Sequence, residues 1–279
     1  MPSFFLQGAP VLRSLLILAV IAGGLAVDQH YSQRLVDVSV WLLFLFFLWE
    51  ARPRDRIALL ACLGYAWLGE LVLSPVLGLY EYREGSVPLF VPPGHVLLLM
   101  LGSSIAGAIS LRLERIVPVV ALPAVLLMGI VGMDTSALLL FAFFLACVAF
   151  GPQPRLYAVM FVLALAMEIY GVWLGNWRWA DEALGFTFNN PPLAAGAFYC
   201  VLDWLVGLHS QAAPRTPLES PCTGGESRVS TRSENTNRPQ SFGTFSYKRF
   251  TLDTPPPSTI TSGSRMLITP ASARASRSS

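Results

Sequence analysis

Long apolar runs separated by short polar stretches occupy the first three quarters of the chain. They lie at residues 11–27, 35–49, 57–77, 96–111, 117–133, 135–150, 155–175 and 191–208. A straight transmembrane helix needs about 17–25 residues, and most of these runs approach or reach that length. The pattern predicts an all-α integral membrane domain over residues 1–211 with about eight transmembrane helices. We interpret the first run as a span rather than a cleaved signal peptide, because the next apolar run follows closely.

The rest of the chain, residues 212–279, is rich in Ser, Thr, Pro and Arg and has no sustained periodicity. Such a segment cannot bury enough apolar surface to offset its ordering entropy, so we expect a disordered tail. Residues 1–211 carry ten Arg, no Lys and thirteen acids, a net of −3, whereas the tail carries nine basic and four acidic residues, a net of +5. The overall charge of +2 is therefore the sum of two unlike regions, and it does not predict a nucleic-acid partner.

The distribution of arginine predicts the orientation in the membrane. With the N-terminus inside, the cytoplasmic ends of the runs carry Arg13, Arg52, Arg54, Arg56, Arg112, Arg115 and Arg155. The opposite loops carry Arg34, Arg83 and Arg178. Because cytoplasmic loops are enriched in Lys and Arg, we expect a multi-pass protein of the cell membrane with both termini and the tail in the cytoplasm.

Four features recur along the chain at an offset of 97 to 99 residues. The matching pairs are Leu-Gly-Leu-Tyr-Glu-Tyr at 77–82 with Leu-Gly-Asn-Trp-Arg-Trp at 174–179, Glu70 with Glu168, Pro92-Pro93 with Pro191-Pro192, and Asp37 with Asp134. This recurrence predicts two parallel four-helix repeats, at about 11–111 and 117–208, related by an axis along the membrane normal. Both loops of the form Gly-x-aromatic-x-aromatic then face the non-cytoplasmic side.

Three acidic residues inside the runs are candidate catalytic groups: Glu70, Glu168 and Asp203. A carboxyl group at membrane depth costs a few kcal/mol unless it finds partners or stays protonated. Facing each other across the repeat axis, the two glutamates would form a coupled pair in which at least one carboxyl is protonated and can donate a proton. The structural alternative is that each glutamate bonds a neighbouring helix and fixes the packing. Asp203 has no acidic counterpart in the first half and is open to the same two interpretations.

Five further residues are candidates for substrate binding: Tyr80, Tyr82, His95, Trp177 and Trp179. The four aromatic residues are expected where helices leave the membrane, so they predict either an interfacial belt or a wall that stabilises a carbocation through its π-faces. Alternation places both aromatics of each loop on one side of an extended segment. His95 is either a proton relay or a hydrogen-bonded residue at a helix start.

Motifs for cofactor or metal chemistry are missing from the sequence. It has no phosphate-binding loop, no His-Glu-x-x-His, no Gly-x-Ser-x-Gly and no Cys/His spacing typical of a metal site. We therefore expect chemistry without a cofactor, or no chemistry.

An intramembrane Glu followed by Gly-x-Tyr-x-Tyr and a Val-Pro-Leu-containing helix start resembles the carotenoid hydratases and, more distantly, the small membrane lycopene cyclases. The resemblance covers Glu70–Leu101 and, more weakly, Glu168–Asp203, about a quarter of the chain. In such proteins an acid protonates a terminal isoprenoid double bond, and water or an internal alkene captures the cation. The resemblance implies that Glu70 is a candidate acid and that Tyr80 and Tyr82 line the site. Their counterparts in the second half would be Glu168, Trp177 and Trp179.

The leading hypothesis is therefore a cofactor-independent membrane hydratase or cyclase acting on an isoprenoid or similar lipid. A small proton-coupled transporter is the first alternative, and it predicts a continuous polar path to both membrane faces. A non-catalytic membrane scaffold is the second, and it predicts buried glutamates with no cavity. The oligomeric state is left open by the sequence.

Overall fold

A computed structural model describes the backbone of residues 10–212 and the side chains of residues 11–208. The predicted tail, apart from the backbone of Ala212, lies outside the described residues. The described chain is mostly helical, with eight α-helices: α1 (Pro10–His30), α2 (Gln33–Glu50), α3 (Pro53–Leu71), α4 (Val91–Ala108), α5 (Leu113–Val131), α6 (Ser136–Phe150), α7 (Pro154–Leu174) and α8 (Gly196–Ala212). Residues 10–212 thus contain as many helices as the sequence predicts, but not all of them have the length and composition of a membrane span.

Five helices are long and apolar enough to cross a membrane. They are α1, α3 together with the π-helical turn Val72–Val76, α4, α5 and α7. Two further helices, α6 and α8, are apolar but shorter, and α2 has the length of a span but carries Arg34, Asp37 and Glu50. Large apolar side chains such as Val119 and Ile130 are exposed on the outside of the bundle, where lipid would cover them.

Local sequence explains where several helices begin and end. Proline occupies the first turn of α3, α4 and α7, where its missing N–H is not needed. Gly132 and Gly175 end α5 and α7 with φ of 82°, a left-handed conformation that glycine adopts without steric cost.

Two helix starts differ from the sequence expectation. α4 begins at Val91 rather than near residue 96, because the Pro-Pro pair forms its first turn. α8 begins at Gly196 rather than at Pro191. In the loop before α8, the Asn190 side chain accepts a hydrogen bond from the Trp179 backbone N–H at 3.0 Å.

The matched residues Asp37 and Asp134 occupy different positions relative to the helices α2 and α6. Asp134 precedes α6, and its Oδ1 accepts a hydrogen bond from the Ala137 N–H at 3.0 Å. Its Oδ2 accepts a second one from the Leu193 N–H at 2.8 Å, which ties α6 to the loop before α8. Asp37, by contrast, lies inside α2, which starts at Gln33.

Four helices form the centre of the bundle. α3 packs against α4 and α8, and α7 packs against the same two helices, while α1 lies on α2 and α5 on α6. The approach of α8 to α7 is close because Gly196 has no side chain. A Cβ atom there would meet the Phe161 carbonyl oxygen and lie 2.8 Å from the Phe161 Cα.

Short strands connect the central helices on one side of the bundle. β1 (Tyr80–Tyr82) follows α3, and β2 (Trp177–Trp179) follows α7. They pair antiparallel, with Tyr80 opposite Trp179 and Tyr82 opposite Trp177. A separate hairpin of β3 (Glu182–Ala183) and β4 (Phe186–Thr187) follows β2.

We expect Gly196→Ala to lower the stability of the bundle by roughly 1–3 kcal/mol, since the added methyl meets backbone atoms that cannot rotate away. The matched control is Gly64→Ala on α3, where no heavy atom lies within 4 Å of the added Cβ. That control should gain about 0.5–1 kcal/mol from helix propensity. The apparent melting temperature of the two proteins in detergent compares them. Equal melting temperatures would contradict the α7–α8 contact.

Candidate functional site

A cavity of about 120 Å³ lies among the central helices and the β1–β2 pair, with α1 and α2 contributing to its wall. Apolar side chains such as Val20, Val40 and Leu98 form most of the lining. The lining also includes a set of polar and aromatic residues: Tyr65, Glu70, Tyr80, Tyr82, His95, Glu168, Trp177, Trp179 and Tyr199. Both predicted glutamates therefore face one shared cavity.

Glu70 is buried near the end of α3 and is held by the strand that follows it. The Tyr80 and Tyr82 hydroxyls donate hydrogen bonds to its Oε2 at 2.8 and 2.7 Å. The His95 Nε2 lies 3.4 Å from its Oε1. The π-helical turn after α3 reverses the chain, which brings both tyrosines back over the carboxyl group. Burial raises the pKa of the Tyr80 and Tyr82 hydroxyls well above the usual value for a phenol, so both keep their protons.

Glu168 is buried on α7 and has a corresponding set of donors. The indole N–H groups of Trp177 and Trp179 donate to its Oε2 at 2.8 and 3.1 Å. The Tyr199 hydroxyl donates to its Oε1 at 3.1 Å. Each carboxyl group is thus satisfied by two aromatic donors from the strand that follows its helix, which offsets the cost of burial.

The pairing of β1 with β2 assembles the four aromatic rings into one wall. The ring centroids of Tyr80 and Trp179 are 4.8 Å apart, and those of Tyr82 and Trp177 are 6.1 Å apart. Their exposed fractions are only 3–8%. An interfacial belt has exposed rings, so that alternative does not describe these four residues.

His95 and Tyr199 connect the two carboxyl groups. The imidazole stacks on the Tyr199 ring with centroids 4.8 Å apart and planes inclined by 6°. Its Nδ1 lies 2.9 Å from the Val91 carbonyl oxygen in the first turn of α4. Tyr199 is not among the site residues predicted from the sequence. Its signal is weak, since it lies one helical turn before Asp203 and has no matching tyrosine in the first half.

Asp203 does not line this cavity, unlike the other seven candidate residues. It is 2% exposed, and neither carboxyl oxygen has a hydrogen-bond partner among the described residues. The Tyr157 hydroxyl is likewise buried and unpaired within that part of the chain. Asp203 is therefore a buried acid apart from the paired glutamates.

Within residues 10–212, no cluster of three or more His, Cys, Asp or Glu side chains has a geometry that could hold a metal ion. Comparison of the chain with family models, curated proteins and solved structures finds no match.

We expect Asp203→Leu to raise the apparent melting temperature by several degrees, because it replaces an unpaired buried carboxyl with an apolar side chain of the same branched shape. Asp203→Asn should change it little. Thermal unfolding of the full chain in detergent measures both. A clear loss of stability in the leucine variant would show that Asp203 has a polar partner.

A second prediction concerns Gly171, which lies against the ring of Trp177. A Cβ atom at Gly171 would overlap the Trp177 ring, so Gly171→Ala should displace the indole from Glu168 and cost roughly 1–3 kcal/mol. The control is Gly107→Ala, where no heavy atom lies within 4 Å. Thermal unfolding and tryptophan emission report the change. Equal melting temperatures and equal emission spectra of the two variants would contradict the close contact between Gly171 and Trp177.

Proposed function

We propose that the protein is a cofactor-independent enzyme of the cell membrane that protonates a terminal double bond of an isoprenoid lipid, leading to hydration or cyclisation. One observation carries the proposal: two buried carboxyl groups face a single, mainly apolar cavity whose wall consists of aromatic rings. A carboxylic acid in such a cavity is a usable proton donor. The sequence resemblance to carotenoid hydratases, centred on Glu70, Tyr80 and Tyr82, supports the same chemistry.

The proposed reaction needs no oxidant or reductant. The π-electron pair of the alkene takes a proton from a carboxylic acid and forms a C–H bond, which leaves a tertiary carbocation and a carboxylate. The faces of rings such as Tyr80 and Trp179 stabilise the cation. In hydration, the oxygen of water bonds to the cation and one of its protons returns to the carboxylate, which restores the acid. In cyclisation, an internal alkene attacks the cation, and a proton is then lost to the carboxylate.

The size of the cavity supports recognition of a chain end. An engineered protein cavity of about 150 Å³ holds benzene, which has six carbon atoms. The cavity of about 120 Å³ therefore has room for roughly one five-carbon isoprene unit. We propose that the terminal unit enters the cavity while the rest of the lipid stays outside it.

We further propose that the chain consists of two parallel four-helix repeats with both termini in the cytoplasm. The order of buried Glu, aromatic strand and helix occurs in α3–β1–α4 and again in α7–β2–α8. α3 packs on α8 as α4 packs on α7, and an antiparallel β1–β2 pair suits a two-fold axis between the strands. The position of Asp37 and the β3–β4 hairpin are departures from symmetry.

The alternatives make different demands on the cavity. A scaffold would bury both glutamates with no cavity beside them, whereas Glu70 and Glu168 line one. A carrier would need a polar path beyond the acids. Asp203 on α8 has no hydrogen-bond partner among the described residues and lies outside the cavity lining. Both observations favour an enzyme.

Expression of the full chain in a lycopene-producing host tests the proposal. We expect a new, more polar or cyclised pigment with the unaltered protein, and at least about a hundredfold less product with Glu70→Gln, because that change removes the acid proton. Glu81→Gln is the matched control, since Glu81 lies on the same strand as the tyrosines but is exposed. Liquid chromatography with mass detection measures the pigments.

An unchanged pigment profile with well-folded, membrane-inserted protein would reject carotenoid chemistry. Equal product from Glu70→Gln and Glu81→Gln would reject Glu70 as the proton donor.

A further inference from the structure

The two halves of the cavity differ in the hydrogen bonds that they offer. Glu70 Oε2 is held by two phenol hydroxyls, which can donate or accept. Glu168 Oε2 is held by two indole N–H groups, which can only donate. Because tryptophans take the place of the tyrosines in the second half, these two neighbours of Glu168 cannot accept a hydrogen bond from it.

Hydrogen bonding also determines where the protons lie around His95. The Val91 carbonyl oxygen can only accept, so the Nδ1 atom 2.9 Å away carries a hydrogen. The other ring nitrogen, Nε2, faces Glu70 Oε1 at 3.4 Å. A proton on Glu70 would point at the unprotonated Nε2, and a proton on Nε2 would point at the Glu70 carboxylate. Any proton that this pair takes up beyond the one on Nδ1 can therefore move between the two groups along this contact.

Glu168 has no such partner among the described residues. All three of its hydrogen bonds come from donors, namely Trp177, Trp179 and Tyr199. These donors satisfy a carboxylate better than a protonated acid, because the acid would have to direct its own hydrogen toward an acceptor. This set of donors suits the carboxylate form of Glu168, which faces a mainly apolar cavity.

We propose that the two acids have unequal roles, with the Glu70–His95 pair delivering the proton and Glu168 acting as the counterion of the carbocation. This assignment rests on the proposed function and deepens it. It also gives the cavity a ligand class of its own: an organic cation with an apolar chain. A dimethylalkylammonium ion has the shape and charge of the tertiary carbocation, and its head group fits the space of one isoprene unit. The aromatic wall adds cation–π attraction to the same charge.

The experiment measures binding of N,N-dimethyldodecylamine, protonated at pH 7, to the full chain in lipid nanodiscs by titration calorimetry. Empty nanodiscs are subtracted, and a branched alkane of the same length is the neutral probe. We expect the ammonium probe to bind about tenfold or more tightly than the neutral one. Glu168→Gln should abolish that preference, while Glu70→Gln and His95→Gln should keep most of it.

Two variants keep the result interpretable. Glu81→Gln, with its exposed side chain, should bind like the unaltered protein. A Trp177→Phe, Trp179→Phe double variant keeps the rings but removes both donors from Glu168, and it should lose part of the preference. Size-exclusion profiles show that each variant is folded.

Loss of the preference in Glu70→Gln with retention in Glu168→Gln, equal loss in both, or no preference in the unaltered protein would each overturn the assignment. The outcome is separate from the pigment experiment. A clear ammonium preference with no new pigment would reject the carotenoid substrate and leave the unequal acids in place. New pigment without the preference would support the enzyme and reject the role of Glu168.

Discussion

Two carboxyl groups buried in an apolar bundle must be given hydrogen-bond donors, and the rest of the site follows from how this chain supplies them. The donors come from two three-residue strands that pair with each other above the central helices. Because side chains alternate along a strand, the first and third residues of β1 and β2 point inward together. One antiparallel pairing thus satisfies both acids and builds the aromatic wall between them.

The same arrangement leaves a cavity instead of a filled core. Tyrosine and tryptophan reach the acids with the polar atoms of their rings while their faces border open space. Hydrogen bonds from neighbouring helices would have satisfied both carboxyl groups without leaving a cavity beside them. The function that we propose uses this difference, since an alkene needs both space beside the acid and ring faces around the cation.

Hydropathy predicts most of the helices, because apolar runs long enough to cross a membrane are typical of transmembrane helices. The paired glutamates and the aromatic loops were found through their matching spacing. Tyr199 was missed, since its role arises where α8 meets α4 and α7, which no local pattern encodes. The start of α8 was placed too early because hydropathy does not show that the chain before Gly196 runs irregularly. The separate position of Asp203 depends on helix packing and is equally invisible in sequence.

The most direct measurement of the central claim is disulfide trapping of the β1–β2 pairing in native membranes. Glu81 and Arg178 lie opposite each other in the paired strands, at a separation where a disulfide can form. With Glu81→Cys and Arg178→Cys, and a protease site inserted between α6 and α7, oxidation should keep the two fragments joined on a gel. The out-of-register combination of Glu81→Cys with Glu182→Cys should not. Separated fragments from the first pair, or equal joining of both, would contradict the pairing that brings the two acids into one cavity.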